Sequence, residues 1–340
     1  MTISPAARAL HDRATIVDGL VFFSDGDARV LREAGIAAVN LTVSHFEADF
    51  ERALDEIGAW LARVHAPASG WRLIEDASDV AAARAAGAVG LIMGWQNMRP
   101  VGDRLDRLHL FRRLGVRVMQ LTYNQRNFLG DGCLEPEDGG LSALGVRAVA
   151  LMNELGIALD LSHVGERTSL MAAERSTRPV LVTHGNAKSV TEAARNKSDA
   201  VIRAVAATGG VIGVSIYGPM CWNGDAARRP SLEDFLRQLD HVVGLVGPDR
   251  VALGTDLPAV RDLGAVADII GMTLQRSPGA IARYAAAFGN DVKTRYLADC
   301  SSHAELARVT DRLLARGWSE AHVLGLLGGN WLRVLDAIWR

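Results

Sequence analysis

Two histidines and one aspartate stand in contexts that could assemble a hydrolytic centre. His163 closes the run Asp160-Leu161-Ser162-His163, His184 closes Val182-Thr183-His184, and Asp256 closes Gly254-Thr255-Asp256. Each follows a short aliphatic run, so each falls just beyond the end of a predicted strand. Neutral imidazole suits zinc, and a carboxylate beside a metal can orient and deprotonate its water. A lone histidine after a strand is more often a hydrogen-bonded loop residue than a ligand; three such groups from three strand ends argue for a site. The other histidines lack that support. His11, His65, His109, His303 and His322 fall on predicted helices or the N-terminal arm and read as surface groups. His45 lies just past the second strand, and His241 sits mid-helix as a packed pair with Asp240. Three cysteines (Cys133, Cys221 and Cys300) at wide spacing read as reduced thiols and speak against a cysteine-based zinc site.

An alternation of strand and helix must position these groups. Eight aliphatic runs, 15–18, 37–42, 89–94, 117–121, 157–161, 179–183, 210–215 and 250–254, end in polar or Gly residues. Helix-period segments separate them, among them 50–64, 144–155, 199–207 and 232–246. Strands alternating with helices pair in parallel, and eight such units close into a (β/α)8 TIM-type barrel with the active site over the C-terminal strand ends. An open doubly wound sheet would carry a glycine-rich phosphate turn after the first strand, where Asp18-Gly19-Leu20 stands instead. Additional C-terminal helices are expected over 302–316 and 319–327, followed by Gly328-Gly329-Asn330 and a last apolar helix over 331–339.

The 340 residues read as one domain, 1–340, with no linker-like stretch, and 49% hydrophobic residues supply a large core. A net charge of -2 gives no electrostatic case for nucleic acid or an anionic membrane. Arg104, Arg107, Arg112 and Arg113 share a predicted helix region with Asp103 and Asp106 and read as a solvated face. The start of the chain is polar and broken by Pro5, and no segment reaches the length of about 20 apolar residues that a membrane helix needs. A cytoplasmic protein is the expectation.

The order and spacing of several segments resemble the membrane (renal) dipeptidase family of the amidohydrolase superfamily, along nearly the whole chain. These are Leu121-Thr122-Tyr123-Asn124 with Asn127, the runs ending in His163 and His184, Arg195-Asn196-Lys197-Ser198-Asp199, the run ending in Asp256, and Gly328-Gly329-Asn330-Trp331. The resemblance implies a barrel with two zinc ions, a dipeptide-like substrate carrying a free carboxylate, and a homodimer. By position, His163 and His184 resemble ligands of the second zinc and Asp256 the catalytic base. Arg195 resembles the arginine that grips the substrate carboxylate, and Asn127 and Tyr123 fall near the substrate.

The departures are as informative. Where the family has a His-x-Asp pair for its first zinc, this chain has Leu20 and Phe22; where it has a bridging glutamate, Gln96; where it has a histidine near the substrate, Tyr123. Leucine and phenylalanine ligate nothing, and an amide oxygen is a poorer ligand than a bridging carboxylate. Two zinc ions carry a charge of +4, which the family offsets with three carboxylates and a hydroxide; only Asp256 of those carboxylates remains. Asp18 and Asp131 also fall near the rim, with direction open. The expectation is one zinc on His163 and His184, with Gln96 or Asp256 and water completing the shell, or no metal at all. Ser198 could cap the following helix and fix Arg195 for a two-point grip on a carboxylate. The glycines of the loop 127–133 suggest a mobile lid, with Cys133 an inert thiol beneath it, and Trp95 and Phe22 could line the pocket. Three functions fit: hydrolysis of a C–N bond in a small carboxylate-bearing substrate with Tyr123 assisting at the oxyanion, binding of a carboxylate ligand or partner without turnover, and another metal-dependent reaction such as decarboxylation.

Overall fold

Aliphatic runs that must hide both faces become parallel strands sandwiched between a barrel interior and a layer of helices. The computed structural model describes residues 3–22, 26–277, 279 and 281–340. Strands β1 (Ile16–Val21), β2 (Ile36–Thr42), β3 (Trp71–Leu73), β4 (Val89–Trp95), β5 (Val116–Gln120), β6 (Ala158–Asp160), β7 (Leu181–Val182), β8 (Val211–Val214) and β9 (Val251–Leu253) form one parallel sheet. Neighbours run β1-β2-β4-β5-β6-β7-β8-β9. The last closes on the first through a parallel bridge between Val21 and Leu257, with the Phe22 amide donating to the Leu257 carbonyl at 3.3 Å. The expected (β/α)8 barrel is present.

The strand β3 is an addition that periodicity did not signal, because three residues are too few to show alternation. It pairs with the first half of β4 (Trp71 opposite Val89), and β5 takes over that edge from Met93 onward. On the outside, helices Phe50–His65, Ala143–Leu155, Asp199–Ala207 and Leu232–Val246 occupy the expected segments. Ser198 accepts from the Val201 amide and caps its helix as anticipated. The arginine cluster is less solvated than its composition suggested: Arg107 lies over the Phe50 ring at 4.0 Å and Arg112 donates to the Leu155 carbonyl. No helix among the described residues is long and apolar enough to cross a membrane.

Two apolar clusters divide the core. The outer one packs Leu41, Leu91 and Met119 against helix residues such as Ile57, Phe111 and Met152. The inner one fills the N-terminal half of the barrel with Val17, Ile92, Val118, Leu181 and Val211, and the last helix, Asn330–Trp339, closes it with Trp331, Leu335 and Ile338. Trp331 donates its indole N–H to the Leu253 carbonyl at 2.7 Å, and a Cβ at Gly19 would strike its ring. The helix expected over 319–327 ends at Leu324, and Gly325–Gly329 lead as a wide turn into the last helix. At Gly328 any side chain would collide with the Thr15 carbonyl, so glycine lets the turn press against β1. Likewise the expected helix at 302–316 divides into a turn, His303–Glu305, and a helix, Ala307–Ala315.

Trp331→Ala empties the plug of the barrel. It is expected to cost about 3–5 kcal/mol of unfolding free energy, read from urea denaturation; a loss below about 1 kcal/mol would contradict the plug.

Candidate active site

Beyond the strand ends, polar residues replace the aliphatic core, and two buried carboxylates organise them. Asp160, at the end of β6, accepts from the amide and hydroxyl of Thr183 at 3.0 and 2.7 Å and from the amide and hydroxyl of Ser162 at 3.0 and 2.6 Å. Asp18, on β1, accepts from the Thr255 amide at 2.8 Å and hydroxyl at 2.5 Å, and from the Leu20 amide at 3.2 Å. In each case a carboxylate grips both donors of a threonine on a neighbouring strand end, and the next residue is His184 or Asp256. Burial pushes the Asp160 carboxyl upward, against the pull of its four donors.

His303 is part of this layer and not of the surface. It is 2% exposed, and its Nε2 lies 2.9 Å from Asp18 Oδ2. His11 is likewise buried, against Thr310, and burial lowers its pKa to about 4. His241 pairs with Asp199 at 2.9 Å, while Asp240 bonds Arg316. Asp131, 3% exposed, bonds Arg126 and accepts from the Gly139 amide at 2.6 Å, so it closes a loop.

The imidazoles of His163 and His184 meet with Nε2 atoms 3.1 Å apart. The hydrogen-bond network sets their tautomers. Asn124 Oδ1 lies 2.7 Å from His163 Nδ1 and also receives the Cys133 thiol, while its amide nitrogen donates to Ser277. His163 Nδ1 therefore carries a proton. The single proton of Thr183 goes to Asp160, which leaves Thr183 Oγ1 to accept from His184 Nδ1 at 2.9 Å. Burial first, then the positive charge of Arg195, pushes both histidines well below the ordinary imidazole pKa, so both rings are neutral. Two unprotonated nitrogens thus face each other at a distance that invites a shared cation, since ligands about 2.0–2.1 Å from one zinc sit some 3.0–3.4 Å apart. Among the described residues no group of three or more His, Cys, Asp or Glu is placed to hold a metal. Asp256 is thus not placed to join the two histidines around one ion, and any further ligand is Gln96 or water.

A cavity of about 110 Å³ opens over this pair. His163, Gln96, Tyr123, Arg195 and Asp256 all line it, whereas His184, fully buried, reaches it only through its contact with His163. Gln96 donates to the Thr42 hydroxyl at 2.9 Å, and its side-chain oxygen forms no hydrogen bond among the described residues. Tyr123 is stacked between Phe46 and His163, with centroids 4.3 and 4.0 Å away. Its hydroxyl finds no partner among the described residues, and burial raises its pKa, so it is an O–H donor. Arg195, 6% exposed, donates to the carbonyls of Ser162 and His184.

Asp256 takes a left-handed backbone conformation, φ 61°, which aspartate tolerates better than most residues. Its amide donates to Leu20 O at 3.1 Å, and its carbonyl accepts from the Tyr296 hydroxyl at 2.9 Å. Burial pushes its carboxyl up to about 7, with the charge of Arg195 opposing and that of Asp18 adding.

Asn127 is not brought to the cavity. Its amide donates to Asn97 and the Leu121 carbonyl, and its oxygen accepts from Leu129, so it ties its own loop. That loop is no cover either: Leu129, Asp131 and Gly132 are buried, and a Cβ at Gly132 would strike the Asn124 backbone. Its glycines serve close approach. The cover comes instead from helix Ala267–Arg276, through Ile269, Ile270 and Thr273. Phe22 lines the cavity, whereas Trp95 packs edge-on against Phe111 in the outer core. Tyr217, Arg295 and Tyr296 also line it and were not anticipated. Tyr217 follows the seventh barrel strand and was open to the strand-end rule that found the histidines; Arg295 and Tyr296 lie in a segment without periodicity.

A family model described as membrane dipeptidase, peptidase family M19, matches residues 29–272. The chain belongs to that family. Dipeptidase aclJ of Aspergillus oryzae is 28% identical over 256 residues, covering 74% of this chain and 52% of that one, so the match spans about half the relative's length. An amidohydrolase structure from Pseudomonas aeruginosa has 29% identity and a TM-score of 0.86, covering 98% of this chain and 99% of that one. A metallo peptidase from Rhodobacter sphaeroides, liganded with a phosphinate mimic of the dipeptide L-Ala-D-Ala, shares the fold at 22% identity and a TM-score of 0.78, covering 96% and 99%. Within the dipeptidase family, this member has Leu20, Phe22 and Gln96 at positions where the sequence resemblance led us to expect metal ligands.

The raised pKa of Asp256 has a consequence for stability. The unfolded chain releases this proton near 4 and the folded one near 7, so between those values the folded state binds more protons and stability falls as pH rises. Asp256→Asn is expected to stabilise the protein at pH 8 by on the order of 2 kcal/mol, and much less at pH 4, read from thermal unfolding. Equal effects at both pH values would place the carboxyl in a water-like setting.

Proposed function

We propose that this protein is a dipeptidase-type hydrolase that cleaves a C–N bond of a small carboxylate-bearing substrate, using a reduced, single-ion metal site. The observation that carries the reading is the pair of unprotonated Nε2 atoms on His163 and His184, 3.1 Å apart, with His163 lining the cavity. These two residues, with Gln96 as a neutral oxygen donor, would hold one divalent ion, zinc by its preference for imidazole. When bound, that ion supplies Lewis acidity at the scissile carbonyl.

The chain's own groups perform the rest. Arg195 anchors the substrate carboxylate. Asp256, with a pKa close to neutrality, takes the proton of the attacking water and returns it to the leaving amine. Tyr123, held protonated, donates to the oxygen that gains negative charge. Family membership and the aclJ relative support a dipeptide-like substrate. A homodimer in the cytoplasm remains part of this reading as an expectation from the sequence. A second reading, a carboxylate binder without turnover, draws support from Leu20 and Phe22, which cannot ligate a metal.

Metal analysis of the purified protein separates the two. About one equivalent of zinc is expected, and none in the His163→Ala, His184→Ala double variant; absence of metal after zinc supplementation would favour the binder. Asn124→Leu removes the acceptor that sets the His163 tautomer and is expected to weaken zinc binding by about 10–100-fold in a competition titration. In a dipeptide hydrolysis assay, Asp256→Asn is expected to lower kcat by about 10²-fold or more. The wild-type rate should rise as pH increases through about 7, because the base acts in its ionised form. A flat profile from pH 5 to 9 would remove Asp256 from that role.

A further inference from the structure

Two guanidinium groups line the cavity, and only one of them is absorbed by the proposed chemistry. Arg295 is 0% exposed, yet among the described residues it forms no ion pair. It donates to the Tyr217 hydroxyl and to Asn290 Oδ1, both neutral and both at 3.2 Å, and its Nε is buried without a partner. A fully buried guanidinium with only neutral acceptors is costly, and the usual remedy is a carboxylate with two oxygens to offer. The protein does not supply one. Asp256 is the single carboxylate among the lining residues, and the guanidinium whose charge acts on it is Arg195. Buried Lys197, bonded to the Val164 carbonyl, adds further positive charge nearby.

The backbone around Arg295 is fixed, so its head group is held beside the cavity rather than left to drift. The Gly218 amide donates to the Arg295 carbonyl at 2.7 Å, Tyr217 and Tyr296 form an antiparallel bridge, and the Tyr284 hydroxyl donates to Thr294 O at 2.5 Å. Arg195 is held just as firmly, from the ends of β6 and β7, by the Ser162 and His184 carbonyls. Both retain N–H donors beyond those already engaged.

We infer that the cavity takes a dicarboxylate, one carboxylate on Arg195 and the second on Arg295. For a dipeptide-like substrate this means an acidic residue, whose side-chain carboxylate meets Arg295 beside Tyr217. The remaining wall, with Phe22, Met220, Ile269 and Ile281, contacts the methylene chain between the two charges. The inference deepens the reading of this cavity as a carboxylate site but requires neither metal nor turnover.

Binding of simple acids tests it directly. Succinate, glutarate and adipate are titrated calorimetrically into the protein as purified, each against the monocarboxylate of equal chain length (butyrate, valerate, hexanoate). Apolar burial alone would favour the monocarboxylates. The expected result is that at least one diacid binds about tenfold or more tighter than its partner, and that Arg295→Gln abolishes the difference while circular dichroism stays unchanged. If that variant fails to fold, Arg295→Lys keeps the charge without the fork and should reduce the preference. No diacid preference, a preference that survives in the Arg295 variant, or no binding of any acid overturns the inference. Diacid preference in a protein without metal or hydrolysis would sink the hydrolase reading alone; zinc and hydrolysis without that preference would sink only this one.

Discussion

The functional end of the barrel depends on one repeated interaction, a buried carboxylate that grips the amide and hydroxyl of a threonine on a neighbouring strand end. Asp160 does this to Thr183 and Asp18 to Thr255. The residue after each threonine, His184 or Asp256, is thereby aimed. Charge-assisted bonds in a dry setting are short and strong, and each carboxylate has its acceptor capacity filled, so it can be buried. The clamp on Thr183 also consumes its only hydroxyl proton, which forces the His184 tautomer. Placement of a ring and placement of its proton follow from a single contact.

The same economy explains how the two imidazoles stay organised. Phe22 brings apolar surface to the cavity, and the Tyr123 ring stacks on His163. His163 keeps its orientation through Asn124, and His184 through Thr183. Neither imidazole relies on a metal to be held in place. With Asp256 raised toward neutrality and two arginines on the wall, the cavity leans positive and suits an anionic guest.

Most of the architecture was open to a reading of the chain. Strand and helix periods, the polar residues closing each strand, and the rule that a barrel's active site gathers over its C-terminal strand ends placed His163, His184 and Asp256 at one rim, and the family resemblance added Gln96, Tyr123 and Arg195. The shortest elements escaped because they carry no period: β3 spans three residues, and the turn at His303 looked like helix. Asn127 and the glycines of its loop were read for chemistry and mobility, but hydrogen bonds of the amide and close backbone approach account for them.

By itself the sequence determined which residue types could do chemistry and that strands alternate with helices. Those are properties of local order, and local order is what spacing records. Only tertiary structure decided direction: that Asp18 turns to Thr255 and His303, that two imidazoles share one space, that Asp256 is dry enough to hold its proton near neutrality, and that Arg295 joins the cavity from about a hundred residues beyond Arg195. Burial and tautomer depend on which atoms stand opposite one another, and a chain written in one dimension does not contain that.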